Sequence, residues 1–148
     1  MIPLFGYGTF RKTAWREAIL GASYRAQPAT LSGYRRVAIE SGYLSLRETV
    51  TELQPVHGVL IELDAVGWRI ADRWEDVPKY QRIDVVVNTM HGRTDAQAYV
   101  YARAGGATPV DDDCLAFLTD AEVGDAIELF GPKMRRIRRD AKQPSDDG

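Results

Sequence analysis

The sequence has few of the residues that build disulfides, metal centres or membrane spans. Its 148 residues include one cysteine and two histidines. The lone Cys114 cannot form an internal disulfide, and His57 and His91 do not have the spacing of a metal pair. No apolar run reaches the length of a membrane-spanning helix, and Met1–Leu4 does not begin a signal peptide. We therefore expect a soluble, cytoplasmic protein that needs no metal or disulfide to fold.

An excess of charge of one sign is also missing. The chain has 19 Lys and Arg against 21 Asp and Glu, which gives a formal net charge of −2. Because this balance provides no overall attraction to nucleic acid or to a membrane surface, we expect neither as a partner. With 45% hydrophobic and 27% charged residues, the chain has the composition of an ordinary globular protein.

The length suits a single domain, since a chain of 148 residues can bury a sizeable core. We predict that the domain covers residues 1–131. Beyond it lie the basic run Lys133–Arg139 and a polar end, so residues 132–148 are predicted to form a partly disordered tail. A short basic run is usually solvated, and the alternative is a contact for nucleic acid or an acidic partner.

The stretch Leu4–Arg11 contains the strongest turn signal in the chain. Apolar residues run into Gly6 and Gly8, which predicts a strand that leaves the core and turns sharply. Consecutive amides at Gly8, Thr9 and Phe10 then precede a helical pattern and would form a concave donor surface for a carboxylate or another anion. The alternative is a tight turn between a strand and a helix with no ligand.

Capping residues delimit two predicted helices in the first half of the chain. We expect Thr13 to cap a helix over Ala14–Leu20 that ends at Gly21. Asp64 is expected to cap a second helix that continues to about Trp74, whose ring could form the wall of a pocket.

Strands are predicted on both sides of the second helix. Val56–Leu63 has the pattern of a central strand, and Gln81–Met90 and Ala96–Ala102 are expected to pair as neighbours, connected by a hairpin or loop over Asn88–Asp95. The sequence beyond Asp111 is amphipathic and predicts two short helices.

A second candidate for chemistry lies at the end of the helix that Asp64 begins. Glu75 follows Trp74 and enters a short loop that contains Pro78, with Tyr80 at the start of the next strand. A carboxyl group among aromatic and apolar neighbours has a raised pKa, which suits a general acid or base. The alternative is a solvated acid at a helix end.

These motifs, taken in order, resemble those of the gamma-glutamylcyclotransferase-like family, which includes AIG2-like proteins and gamma-glutamylamine cyclotransferases. Leu4–Arg11 is similar to the opening glycine turn of the family, and Asp72–Arg82 to the loop that holds its catalytic glutamate. The strand signatures that also match are Leu31–Tyr34, Val56–Leu60 and Tyr99–Tyr101. The resemblance covers about residues 3–103.

The resemblance implies a fold, a reaction and a set of site residues. The fold is α/β (α+β), a small mixed β-barrel with flanking helices. The α-amine of a small gamma-glutamyl substrate attacks its own γ-amide carbonyl, which releases 5-oxoproline and a free amine without a cofactor. Glu75 would be the catalytic general acid and base. The substrate-binding residues would be Tyr7, Gly8, Thr9, Phe10 and Tyr80.

One position departs from the family pattern. Asp76 follows Glu75 where the family usually has glycine, so a second carboxylate is expected beside the first. It would either raise the pKa of Glu75 or repel an acidic substrate. The alternative function is therefore a non-catalytic module that binds a carboxylate-bearing metabolite. The sequence leaves the released amine and the oligomeric state open.

Overall fold

The computed structural model describes residues 2–39, 43–50, 54–101, 108–109 and 119–142. Cys114 and the acidic stretch that begins at Asp111 lie outside the described residues. The elements are β1 (Leu4–Gly6), a 3₁₀ turn (Thr9–Arg11), α1 (Thr13–Leu20), β2 (Ala26–Leu31), β3 (Tyr34–Ala38), β4 (Leu44–Glu48), β5 (Val56–Ile61), α2 (Ala65–Trp74), β6 (Tyr80–Thr89), β7 (Gly92–Tyr101), β8 (Thr108–Pro109) and α3 (Asp120–Lys142).

Five strands close into a barrel in the order β1-β5-β2-β6-β7. The short first strand joins the two edges, because Leu4 lies opposite Ile61 in an antiparallel ladder and opposite Gln97 in a parallel one. The other three strands form a small sheet in the order β4-β3-β8. This architecture confirms the predicted mixed barrel with flanking helices.

A glycine permits the close approach of β1 and β5. A Cβ atom at Gly58 would lie 2.5 Å from the carbonyl oxygen of Gly6 and 2.7 Å from the ring of Phe5, which is closer than real contacts allow. Phe5 is itself buried, with 1% of its surface exposed. The barrel therefore closes tightly at the point where the chain enters the glycine turn.

The β6–β7 hairpin is longer than the sequence indicates. Pairing runs without a break from Tyr80 opposite Tyr101 to Thr89 opposite Gly92. The predicted hairpin is therefore confirmed, but its connection is shorter than Asn88–Asp95, since most of these residues belong to the two strands. Asn88 and Asp95 are exposed on the outer face, and such solvated polar positions of a strand have the composition of a loop.

The predicted helix starts are correct to within one residue. Asp64 caps α2, because its carboxylate accepts a hydrogen bond of 2.7 Å from the Gly67 amide. Thr13 is instead the first residue of α1, where its hydroxyl accepts a hydrogen bond of 3.3 Å from Arg16. Gly21 ends that helix in the left-handed conformation, with φ of 70°.

A single helix, α3, covers both the second of the two predicted short helices and the beginning of the predicted tail. The first of these helices, which would precede Thr119, lies outside the described residues. Helix α3 continues through Pro132, which is exposed, so solvent can satisfy the carbonyl group that proline leaves without a donor. Met134, Ile137 and Ala141 recur at helical spacing and are buried in the same cluster as the residues of α1 and α2. The expected boundary after residue 131 therefore falls inside a packed helix. In the basic run, the side chains of Lys133, Arg135, Arg136 and Arg139 are exposed, whereas Arg138 donates a hydrogen bond to the carbonyl oxygen of Ala18.

None of the helices in the described ranges is long and apolar enough to cross a membrane.

The helix α3 gives a test of this boundary. We expect Met134→Ala to lower the free energy of unfolding by about 2–5 kcal/mol, because it empties a site that is 2% exposed. Leu129→Ala on the same helix removes a side chain that is 76% exposed and is expected to change it by less than about 0.5 kcal/mol. Urea denaturation measures both variants. Equal, small effects would show that α3 does not belong to the domain core.

Candidate functional site

The predicted site residues line one cavity of about 540 Å³. The glycine turn forms one side of it, and the loop after α2, together with the start of β6, forms the opposite side. The predicted residues in its lining are Tyr7, Gly8, Thr9, Phe10, Glu75 and Tyr80. Two segments that are about 65 residues apart in sequence therefore meet across a hollow.

Two buried arginines hold the glycine turn from behind. The Arg36 side chain donates a hydrogen bond of 3.1 Å to the carbonyl oxygen of Tyr7, and Arg16 donates bonds of 3.0 and 3.3 Å to the carbonyl oxygens of Phe10 and Arg11. The guanidinium groups fix the direction of these peptide planes. Since the carbonyl and the following N–H point in opposite directions in a trans peptide, the Gly8 amide faces away from Arg36.

The amides of this turn are free to bind a ligand. The Arg11 amide closes the turn by donating to the carbonyl oxygen of Gly8 over 2.9 Å. Within the described part of the chain, no group accepts a hydrogen bond from the amides of Gly8, Thr9 and Phe10. These three amides therefore have no acceptor among the described residues, and the residues that carry them line the cavity.

Glu75 lies at the end of α2, where the helix stops and the chain turns toward β6. Its amide donates a hydrogen bond of 2.9 Å to the carbonyl oxygen of Ala71, and its side chain lines the cavity. Burial alone raises the pKa of its carboxyl from 4.5 to about 7. No described residue donates a hydrogen bond to that carboxyl, so none of them offsets the loss of water.

Three tyrosines surround the Glu75 carboxyl but direct their hydroxyl protons elsewhere. Tyr7 donates to the carbonyl oxygen of Tyr99, Tyr99 donates to Asp72 over 2.5 Å, and Tyr80 donates to the carbonyl oxygen of Leu44 over 3.0 Å. Burial raises the pKa of each hydroxyl, and the nearby Glu75 charge raises it further. These tyrosines are therefore neutral walls of the cavity.

Asp76 does not act on Glu75 as the sequence led us to expect. Its carboxylate points outward, is 70% exposed and forms a salt bridge of 3.3 Å with Lys79. The raised pKa of Glu75 has burial as its cause. The neighbouring carboxylate is thus neutralised by a lysine at the surface.

Helix α3 also contributes residues to the site, and the sequence did not predict this contribution. Phe130 and Lys133 line the cavity, together with Trp15, Trp74 and Tyr99. The ring of Phe130 lies 6.3 Å from those of both Trp15 and Trp74. No local motif predicts that Phe130 and Lys133 belong to the site. Their helix lies more than 50 positions beyond Glu75 in sequence, and only the tertiary fold brings it to the cavity. Trp74 does line the pocket, as its place at the helix end predicts.

A larger hollow of about 840 Å³ lies along the β6–β7 hairpin. None of the predicted site residues lines it, and its charged side chains, Asp84, Arg93 and Asp95, are all exposed. We therefore take the smaller cavity, which the predicted residues line, as the candidate site. Among the described residues, no three His, Cys, Asp or Glu side chains are grouped to hold a metal ion.

Comparison with known proteins agrees with this geometry. The family model described as "Gamma-glutamyl cyclotransferase, AIG2-like" matches residues 4–116. The chain belongs to this family. No curated protein matches it in sequence.

Solved structures of low sequence identity share the fold. A protein from Arabidopsis thaliana has 23% identity and a TM-score of 0.59, over 97% of this chain and 85% of its own. An AIG2-like protein from Mus musculus has 19% identity and a TM-score of 0.60, over 76% and 87%. A structure titled gamma-glutamyl cyclotransferase has 16% identity and a TM-score of 0.58, over 99% and 91%.

The backbone explains how Asp76 replaces the usual glycine of the family. Asp76 has φ of 58°, in the left-handed region that glycine adopts most easily. Aspartate is among the few other residues that tolerate it. The substitution is therefore compatible with the loop shape that a glycine would allow, and the carboxylate that it adds is exposed and paired with Lys79.

Stability should depend on pH through Glu75. The pKa of its carboxyl is about 7 in the folded protein against 4.5 for the ordinary group, so the native state holds a proton that the unfolded state releases. The wild type must then lose stability as pH rises from about 4.5 to about 7, by roughly 3 kcal/mol in full. Glu75→Gln lacks this loss, so its stability relative to wild type should increase over the same range.

Urea denaturation at about pH 5, 6, 7 and 8 measures this difference. Asp76→Asn is the matched control, because it removes the adjacent exposed carboxylate and asparagine also tolerates a positive φ. A difference between Glu75→Gln and wild type that stays flat with pH would show that the Glu75 carboxyl is solvated.

Proposed function

We propose that the protein is a gamma-glutamyl cyclotransferase that releases 5-oxoproline and a free amine from a gamma-glutamyl amine, amide or peptide. The observation that carries this proposal is the cavity itself. Its lining includes a carboxyl with a pKa of about 7 and, across the hollow, a turn with three amides, and no described residue forms a hydrogen bond with that carboxyl or with those amides. Membership of the family supports the same class of reaction.

In the proposed reaction the substrate supplies its own nucleophile. The α-nitrogen attacks the γ-carbonyl carbon, which forms the C–N bond of the lactam, and the bond from that carbon to the departing nitrogen breaks. The attacking nitrogen loses two protons and the departing nitrogen gains two, so no water is consumed. Intramolecular attack in a fixed geometry has an effective molarity of about 10⁵–10⁸ M, which explains why the cavity needs no serine or cysteine.

Glu75 carries both protons between the two nitrogens, one after the other, and the second proton leaves the attacking nitrogen once the new C–N bond has formed. Ionised, it accepts a proton from the substrate ammonium and so produces the free amine that attacks. Protonated, it delivers that proton to the departing nitrogen. A pKa of about 7 lets the same carboxyl do both near neutral pH.

The glycine turn binds negative charge in this scheme. The amides of Gly8, Thr9 and Phe10 hold the substrate α-carboxylate or the oxyanion that develops on the γ-carbonyl. Arg36 strengthens either contact, because its positive charge is fixed behind the Tyr7 carbonyl. The Tyr80 hydroxyl donates to Leu44 and keeps its lone pairs for a substrate N–H.

The reaction can be tested with a panel of gamma-glutamyl compounds, with 5-oxoproline measured by chromatography. We expect the wild type to release 5-oxoproline and Glu75→Gln to reduce the rate by about 10²–10⁴, the usual contribution of a general base. Asp76→Asn should retain activity, because its carboxylate is 70% exposed and is paired with Lys79. Undiminished turnover by Glu75→Gln would remove Glu75 from the mechanism, and saturable binding without any product would favour the non-catalytic module.

The pH profile gives an independent test. The free enzyme must hold Glu75 ionised to accept a proton, so kcat/KM should fall as pH decreases below about 7, the pKa that burial gives this carboxyl. An acidic limb centred near the ordinary value of 4.5 would contradict a buried base.

A further inference from the structure

The lining of the cavity becomes more exposed to solvent from its inner end to its mouth. Tyr7 and Tyr99 beside Glu75 are 6% and 3% exposed, whereas Phe130 is 38% exposed and Lys133 is also exposed. If the inner end takes the glutamyl unit, as the proposed function requires, the departing amine lies toward the mouth. The mouth is therefore where the protein can distinguish one gamma-glutamyl compound from another.

An aromatic wall with a lysine forms one side of this mouth. Trp74 meets the edge of Phe130 at 6.3 Å between ring centres, and the Lys133 ammonium lies 4.9 Å from the Trp74 ring centre. The ring attracts the ammonium and holds it at the wall. Phe130 and Lys133 are three positions apart on α3, so one face of the helix presents an apolar ring and a cation together.

Positive charge dominates at this wall. Asp76 and Lys79 also line the cavity, but they form a salt bridge with each other and offset each other's charge. Lys133 forms no ion pair with any described residue, and its ammonium lies over the neutral Trp74 ring. A group that reaches the mouth therefore meets one uncompensated ammonium beside an aromatic surface.

We propose that Phe130, Lys133 and Trp74 form a leaving-group subsite that selects an amine bearing a carboxylate, such as an amino acid or a peptide. The carboxylate pairs with Lys133, and the aliphatic part packs on the rings of Trp74 and Phe130. Amines without a carboxylate bind through the glutamyl unit alone, and cationic amines are repelled. This inference rests on the proposed function for the orientation of the substrate.

Binding can be measured without turnover in the Glu75→Gln background, by calorimetry with two probes. Gamma-glutamyl-alanine has a carboxylate on the leaving amine, and gamma-glutamyl-ethylamide does not. We expect Lys133→Met to weaken binding of the first probe about tenfold, as for a lost charge-assisted hydrogen bond, and to change binding of the second less than about twofold. Lys142→Met, exposed on the same helix but away from the cavity, is the matched control.

Other patterns would overturn the inference. Equal weakening of both probes would assign Lys133 to the α-carboxylate of the glutamyl unit, and no weakening of either would show that the ammonium is not part of the site. The proposed function can be wrong while the subsite is right. In that case the protein with an intact Glu75 releases no 5-oxoproline, but Lys133→Met still weakens binding of the first probe more than that of the second. Absence of binding by either probe would overturn both.

Discussion

The candidate site depends on one carboxyl group, that of Glu75, which is buried and receives no hydrogen bond from a described residue. Removing Glu75 from water costs free energy that no described residue returns, which is why its pKa rises to about 7. The hydroxyls of Tyr7, Tyr80 and Tyr99 each donate to another acceptor, so these rings surround the carboxyl without donating a hydrogen bond to it. A group in this state keeps its capacity to exchange a proton with a ligand.

The glycine turn on the opposite side of the cavity has the reverse requirement, because its backbone N–H donors must stay unpaired inside a folded domain. Arg16 and Arg36 bind carbonyl oxygens behind the turn and leave the amides of Gly8 to Phe10 directed elsewhere. Arg36 also donates to the carbonyl oxygen of His57 over 2.7 Å, which ties the turn to β5. The barrel fixes the separation of the two walls, since β1 leads into the turn and β6 follows the Glu75 loop.

Local signals in the sequence predicted much of this arrangement. Two glycines marked the turn, Asp64 marked the start of α2, and the position of Glu75 between a helix and a strand placed it in a loop. The motifs in order predicted the family and the mixed barrel. Such features depend on a few neighbouring residues, so one sequence is enough to find them. The roles of the site residues in binding and catalysis remain predictions for the experiments.

The features that the sequence did not predict depend on contacts between distant segments. Residues after Gly131 look like a polar tail, because basic side chains outnumber the apolar ones that face the core. Yet Met134, Ile137 and Ala141 are enough to dock the helix against α1 and α2. The same docking brings Phe130 and Lys133 to the cavity. The core contacts of α3 therefore also determine which side chains line the mouth of the cavity. A part of the chain without a recognisable motif thus completes a site whose motifs lie elsewhere.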